Sequence, residues 1–225
     1  MMAGQGGGRF ITFEGGEGTG KSTQTKRLAA RLKALGHEVV LTREPGGSPR
    51  AEALRALLLS GKVKSLGSFA EAVLFAAARS DHLRATIRPA LARGAWVICD
   101  RFADSTRAYQ GALGDLEPDV VKALEETVVE DTVPALTIIL DLPAEVGLGR
   151  ARVRAGDQAA DRFEAEGLEF HEKLRRAFLD IASSEPRRCV VIDAQSEPDK
   201  VEQRVWQVVA GRFKLEKPAV AQQGR

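Results

Sequence analysis

The chain has 225 residues, 44% of them hydrophobic, with 33 Lys and Arg set against 31 Asp and Glu. That is the length of one domain and enough apolar material for a sizeable core, which excludes a disordered or collagen-like chain. The near-neutral balance argues against a nucleic-acid polymer as partner, since such binding needs clustered positive charge. The longest apolar run, Ala72–Ala78, is far short of the ~18 residues that suggest a membrane span. Cys99 and Cys189, the two cysteines, support neither a disulfide framework nor a Cys-based metal site. Met1–Gly8 lacks the apolar core of a signal peptide and is expected to be a flexible tail, which gives a cytoplasmic expectation for the chain.

Short β-rich runs alternate with longer amphipathic segments. Arg9–Glu14 reads as a first strand, running through a Gly-rich turn into a helix that carries Leu28, Leu32 and Leu35 and stops near Gly36. Glu38–Arg43 is a second strand, followed by a turn over Glu44–Ser48 and a helix over Ala51–Leu59. Ser68 and Glu71 have the spacing of a capping box and are expected to open one long helix reaching Arg93, closed by Gly94. Ala95–Cys99, Leu136–Leu140 and Cys189–Ile192 are apolar runs of the buried-strand kind. Helices are expected at 117–129, 143–155, 167–184 and 198–212, and Lys214–Arg225 reads as a polar tail. Five β runs separated by helical segments predict an α/β fold, a five-stranded parallel sheet with helices on both faces.

Gly15-Gly16-Glu17-Gly18-Thr19-Gly20-Lys21-Ser22 fits the phosphate-binding P-loop pattern in its required context, between a strand and a helix. Glycines let backbone N–H groups approach phosphate oxygens, and the helix start points its unpaired N–H groups at the anion. Lys21 adds a cation for the β- and γ-phosphates, and Ser22 offers a hydroxyl to Mg²⁺. The chain is therefore expected to bind a nucleoside triphosphate. It contains no Asn, so the Asn-Lys-x-Asp element of GTPase switches is missing. A kinase acting on a small acceptor fits best; a P-loop regulatory module binding ATP and a protein partner is the rival reading.

Asp100-Arg101 closes the third strand at the carboxyl edge of the sheet, where ligands bind in such folds. There Arg101 can clamp an acceptor phosphate and Asp100 can hold Mg²⁺ directly or through water; a structural salt bridge is the alternative. Asp141 ends a Walker-B-like run, but capping of the next helix competes, so it stays outside the metal set. Arg150, Arg152 and Arg154 alternate along one segment, so one helical face cannot hold them all. His37, His82 and His171 lie away from the motifs' key positions and read as structural.

Four blocks, FEGGEGTGKST (Phe13–Thr23), TREPGGS (Thr42–Ser48), DRFADSTRAYQG (Asp100–Gly111) and DRFEAEGLEFHEKL (Asp161–Leu174), together resemble the bacterial thymidylate kinases in content and order. The resemblance covers roughly residues 9–212. It implies a P-loop NTPase fold, transfer of the γ-phosphoryl group of ATP to dTMP with Mg²⁺ as cofactor, and a homodimer. It further implies a single kinase domain over 9–212 with a lid about 150–164, flanked by tails at 1–8 and 213–225. ATP would lie on Gly15–Thr23, with Arg150 on the adenine and Ala194 and Gln195 alongside it.

The resemblance also assigns the acceptor pocket. Glu44 and Pro45 would shape it, although Pro-Gly-Gly is turn chemistry in any case. Phe75 and Arg79 share one helix face at i, i+4. Periodicity alone puts Phe75 in the core and Arg79 on the surface, whereas the family places such residues on thymine, one stacking and one bonding O4. Ser105, Thr106, Tyr109 and Gln110 would contact base and sugar, with the Tyr109 ring where a ribose 2′-hydroxyl would clash. Glu17 matches an acidic position near the 3′-hydroxyl and the metal. Catalysis would fall to Lys21, Arg101 and a lid arginine, either Arg154 or Arg162.

Overall fold

The computed structural model describes residues 7–114, 116–155, 163 and 165–215. Arg162, most of the expected lid and the outer parts of both expected tails lie outside them. Five strands, β1 (Arg9–Glu14), β2 (Val39–Arg43), β3 (Trp96–Asp100), β4 (Leu136–Asp141) and β5 (Cys189–Asp193), form one parallel sheet in the order β2-β3-β1-β4-β5. The order reverses at β1, so the loops after β1 and β3 part to opposite faces and leave a crevice at the carboxyl edge.

Helices cover both faces because the strands alternate. On one face Ile11 and Phe13 meet Leu28 and Leu32 of α1 (Lys21–Ala34) and Val201, Val205 and Val209 of the last helix. On the other, Phe10, Val97 and Cys99 meet Leu83, Ile87, Ala90 and Phe102. Burying a side chain such as Phe13 or Leu32 stabilises the fold by about 1.5–3 kcal/mol. Thr12 and Thr137, partners in the β1–β4 register, share a 2.8 Å hydroxyl–hydroxyl bond that satisfies two polar groups inside the sheet.

The helix after β2, α2 (Pro49–Leu59), starts with Pro at its first turn, where a missing N–H costs nothing. Next, α3 (Gly67–His82) opens at Gly67 behind Leu66, with no side-chain cap bond. The expected capping box is therefore absent: Ser68 is already inside the first turn, and Glu71 is buried. The expected long helix is also interrupted. A π-helical stretch over Leu83–Ile87 separates α3 from α4 (Arg88–Ala92). Pro89 supplies the cause, since it offers no N–H to the preceding turn and its ring crowds that turn's carbonyl.

After β3 the chain forms a short α5 (Ala103–Thr106) and a second π-helical stretch, Arg107–Ala112, to which the sequence reading gave no helix. The remaining helices, α6 (Pro118–Val129), α7 (Ala144–Ala155), α8 (Leu168–Ser184) and α9 (Pro198–Phe213), fall within a residue or two of expectation. Phe213 and Leu215, expected in the polar tail, instead pack on the core, Phe213 edge-on to Trp96 at 5.0 Å.

One contact fixes the P-loop on α7. A Cβ at Gly18 would lie 2.0 Å from the Gly147 carbonyl oxygen, and a Cβ at Gly147 would lie 2.4 Å from that of Glu17. Gly149, two residues on, faces open space. Gly149→Ala should therefore stabilise the chain by up to ~1 kcal/mol through helix propensity. Gly147→Ala, with the same propensity gain, should be destabilised by about 1–3 kcal/mol through overpacking. Thermal unfolding of the pair decides; equal melting temperatures would mean that loop and helix do not meet as described.

Candidate active site

The crevice beside β1 holds a cavity of about 320 Å³, within the size range of small-molecule sites. Every residue expected to contact the acceptor lines it: Glu17, Glu44, Pro45, Phe75, Arg79, Arg101, Ser105, Thr106, Tyr109 and Gln110. So do Lys21, Ser22, Asp100 and Arg154. A second cavity, lined by Thr19, Arg150, Ala194 and Ser196 among others, shares Gly18, Gly20 and Thr23 with the first. The P-loop thus stands between two chambers. Arg150 donates to the carbonyls of Ala194 (3.0 Å) and Gln195 (3.1 Å), which joins α7 to the loop after β5.

The cations are held by neutral acceptors or by one carboxylate. Lys21 Nζ donates to the carbonyls of Gly15 (3.1 Å) and Gly16 (2.6 Å). Burial, helped by Arg101, lowers its pKa to about 8, against the opposing pull of Glu17 and Asp100. Arg101 donates to Glu17 Oε1 at 2.5 Å, to the Gly15 carbonyl at 3.1 Å and to Ser105 Oγ at 3.3 Å. Tyr109 donates its hydroxyl to the same Glu17 oxygen at 3.0 Å. Burial alone would raise the Glu17 pKa, but Arg101, Lys21 and the Tyr109 hydroxyl bring it down to about 2. Glu17 is an anion inside a phosphate-binding loop, bonded at the cavity wall to the residue expected to clamp the acceptor.

Ser22 Oγ donates to Asp100 Oδ2 at 2.5 Å. Two hard oxygen donors side by side next to the P-loop lysine suit a small divalent cation that keeps its other positions for water and phosphate. Asp141 is committed elsewhere. Arg175 of α8 grips both of its oxygens, at 2.6 and 2.8 Å, and Asp141 is not among the residues lining the cavity that holds Ser22 and Asp100.

At the far end of the cavity Arg79, almost fully buried, donates to Glu44 Oε2 (2.8 Å), to Thr106 Oγ1 (3.0 Å) and to the Phe102 carbonyl (3.2 Å). It is not the surface residue that periodicity alone suggested. Phe75, half-buried one helical turn earlier, lines the cavity and is not core. Tyr109 meets Phe163 edge-on at 5.0 Å, and Arg101 lies over its ring at 5.3 Å. Of the histidines, His37 packs against Trp96 and His171 against Phe170. His82 corrects the reading that placed it away from the motifs, because it bonds Thr42 and Glu44.

Sequence reasoning missed Arg43, Arg55, Leu59, Phe102 and Phe163 in the cavity wall. Phe163 stands inside a block already singled out; Arg55 and Leu59 sit on a helix whose sequence carries no motif. It also missed Glu14, the last residue of β1. Fully buried, Glu14 accepts the Phe102 N–H and the Ser105 hydroxyl, both at 2.7 Å. These bonds pin the turn on which Arg101 adopts φ 68, a left-handed conformation costly for a side chain of this size.

Burial and then Asp104 push the Glu14 carboxyl from 4.5 up to about 8. Between those values the folded chain holds a proton that the unfolded chain has lost. The stability this confers is complete below pH 4.5 and is lost as pH rises through about 8. Against Glu14→Gln, which does not titrate, the wild type should lose relative stability across that window. Urea unfolding at its two ends tests this, and a difference independent of pH would contradict it.

The chain matches the family model described as thymidylate kinase over residues 13–205. It is 60% identical over 213 residues to the thymidylate kinase of Bradyrhizobium sp. (strain BTAi1), covering 95% of this chain and 94% of that one. It is 60% identical over 208 residues to that of Caulobacter vibrioides, covering 92% and 99%. The crystal structure of thymidylate kinase from Ehrlichia chaffeensis superposes with a TM-score of 0.72 at 36% identity, over 90% of this chain and 99% of that one. With the P-loop, the bipartite crevice and these relatives in agreement along almost the whole length, the chain belongs to the thymidylate kinase family.

Proposed function

We propose that the chain transfers the γ-phosphoryl group of ATP to dTMP, giving dTDP and ADP. One observation carries the reading beyond family membership. A single cavity joins phosphate-seeking cations, Lys21, Arg101 and Arg154, to an aromatic ring and a buried guanidinium, Phe75 and Arg79, suited to a pyrimidine base. ATP lies across the P-loop, with adenine beside Arg150, Ala194 and Gln195 and the triphosphate entering toward Lys21.

In this reading each residue has a defined task. Phe75 stacks on thymine and Arg79 donates to its O4. Ser105, Thr106 and Gln110 contact the base and sugar. Glu44 and Pro45 close the far wall. Tyr109 stands under the deoxyribose, and Glu17, which already accepts from Arg101 and Tyr109, faces its 3′-hydroxyl. Arg101 clamps the acceptor phosphate. Lys21 exchanges neutral carbonyl acceptors for charged phosphate oxygens, a stronger class of bond. Ser22 and Asp100 are the residues that would hold Mg²⁺, which when bound neutralises phosphate charge.

The acceptor is a phosphate monoester, anionic near neutral pH, so no side chain need remove a proton from it. Rate enhancement then comes from in-line positioning and from neutralising charge on the transferring oxygens. Arg154, or Arg162 eight residues further along the chain, supplies the cation from the lid. One such arginine is worth a factor of ~10³ or more.

The same reading includes a homodimer. Leu66, just before α3, and Phe69 and Val73 within it stand at i, i+3 and i+7 and stay exposed, an apolar stripe of the kind a second copy covers. Among the described residues no helix is long and apolar enough to cross a membrane.

Purified protein with ATP and Mg²⁺ should form ADP only when dTMP is added. Lys21→Ala should keep its circular dichroism and melting profile yet lose most turnover. Arg101→Ala should raise the dTMP KM strongly, because a ground-state clamp is lost. Arg154→Ala, Arg162→Ala or their combination should lower kcat and kcat/KM together with little change in dTMP affinity, the signature of a contact made only in the transition state. Unchanged kcat in all three lid variants would remove the lid from the mechanism.

A further inference from the structure

We propose that Thr42 and His82 act through Glu44 as positioning residues for Arg79, and so help determine which base the cavity accepts. The proposal rests on the reading of Arg79 as the group that bonds the acceptor base. Four side chains form one line of contact. Arg79 Nε donates to Glu44 Oε2 at 2.8 Å, Glu44 Oε1 lies 3.1 Å from His82 Nδ1, and His82 Nε2 lies 2.7 Å from Thr42 Oγ1. Arg79, Glu44 and His82 are all buried, His82 completely.

The chemistry of the groups gives the line a direction. A carboxylate only accepts, so His82 Nδ1 carries a proton and donates it to Glu44. Nε2 is left for the Thr42 hydroxyl, which can either donate to it or accept from it. With both oxygens of Glu44 engaged, its carboxylate plane is fixed, and so is the edge of the guanidinium that it grips. Thr106 and the Phe102 carbonyl hold Nη2 on the other side. These bonds leave Nη1 as the nitrogen to address a ligand in the cavity that Arg79 lines.

Backbone shape confirms that the line is built into the loop. A Cβ at Gly47, whose φ is 84, would meet His82 Nε2 at 2.3 Å and Thr42 Oγ1 at 2.5 Å. The chain can close over the Thr42–His82 bond only with glycine there. The block Thr42–Ser48 therefore does more than border a pocket: it brings Thr42, Glu44 and Gly47 around a histidine placed three residues after Arg79 on the same helix.

Thr42→Val removes the hydroxyl at almost constant shape and leaves a buried imidazole nitrogen without its partner, whereas Thr42→Ser keeps it. A buried polar atom left unpaired costs enough that loosening of Arg79 should raise the dTMP KM by about tenfold in Thr42→Val. The ATP KM and kcat should stay near the wild-type values. The decisive readout is base selectivity, the ratio of kcat/KM for dTMP to that for dCMP, because cytosine presents an amino donor where thymine presents O4. A purely structural role would lower stability and scale both acceptors alike.

Arg79→Lys serves as the reference variant, since lysine cannot reproduce the fork of the guanidinium. The proposal expects the ratio to fall in Arg79→Lys and in Thr42→Val and to be retained in Thr42→Ser. A fall in Arg79→Lys with no change in Thr42→Val would overturn the positioning role while leaving Arg79 as the base-reading group. An unchanged ratio in Arg79→Lys would overturn that reading of Arg79, and the positioning role with it.

Discussion

A buried carboxyl at the end of the central strand is the constraint on which the site depends. Glu14 closes β1 and reaches across to β3, accepting the Phe102 N–H and the Ser105 hydroxyl. Those two bonds hold a turn in which Arg101 has a positive φ and thereby aim its guanidinium back over the P-loop. Parallel packing of β1 on β3 makes the reach possible, because both strands end at the same edge. The strain is local to Arg101, the residue proposed to clamp the acceptor, and its compensation lies in the neighbouring strand.

From that anchor the charges of the crevice follow. Glu17 gives Arg101 a counter-charge and Tyr109 an acceptor, so the floor of the cavity is a connected set and not three separate side chains. Lys21 leans on carbonyls of its own loop, and Ser22 on Asp100. Each of these bonds has a stronger replacement in a phosphate oxygen or a hard cation. Around this set the walls are stiffened by pairs that do not face the ligand. Arg188 donates to both oxygens of Asp104, at 2.6 and 3.0 Å, tying α5 to the start of β5. Arg175 ties α8 to the end of β4 through Asp141.

The parts legible in the sequence are those whose chemistry leaves little choice. A phosphate cradle needs glycines, lysine and a hydroxyl at fixed spacing, so Gly15–Ser22 could be read directly. Strands buried on both faces must be apolar, which exposed Trp96–Cys99 and Leu136–Leu140. The resemblance then carried the acceptor residues, Phe75 and Arg79 from outside the four blocks among them, and the structure gathers them into one cavity. What stayed hidden depended on distant partners. Arg175 lies 34 residues from Asp141, and nothing local marks it. Glu14 reads as the last residue of a strand until Phe102 and Ser105 are brought beside it. The Ser68–Glu71 spacing fits a cap that the chain does not use, because Gly67 already begins the turn. Arg107–Ala112 lacks an apolar period, so its π-helical path could not be foreseen.

The central claim is that one crevice couples triphosphate binding to recognition of a thymine monophosphate. Phosphorus NMR of product formation with purified protein, ATP, Mg²⁺ and a panel of nucleoside monophosphates tests it most directly. The account predicts that dTMP is converted to dTDP with the largest kcat/KM in the panel, and that purine monophosphates are poor acceptors. Preferred turnover of a purine monophosphate, or ADP formation at the same rate with no acceptor present, would contradict it.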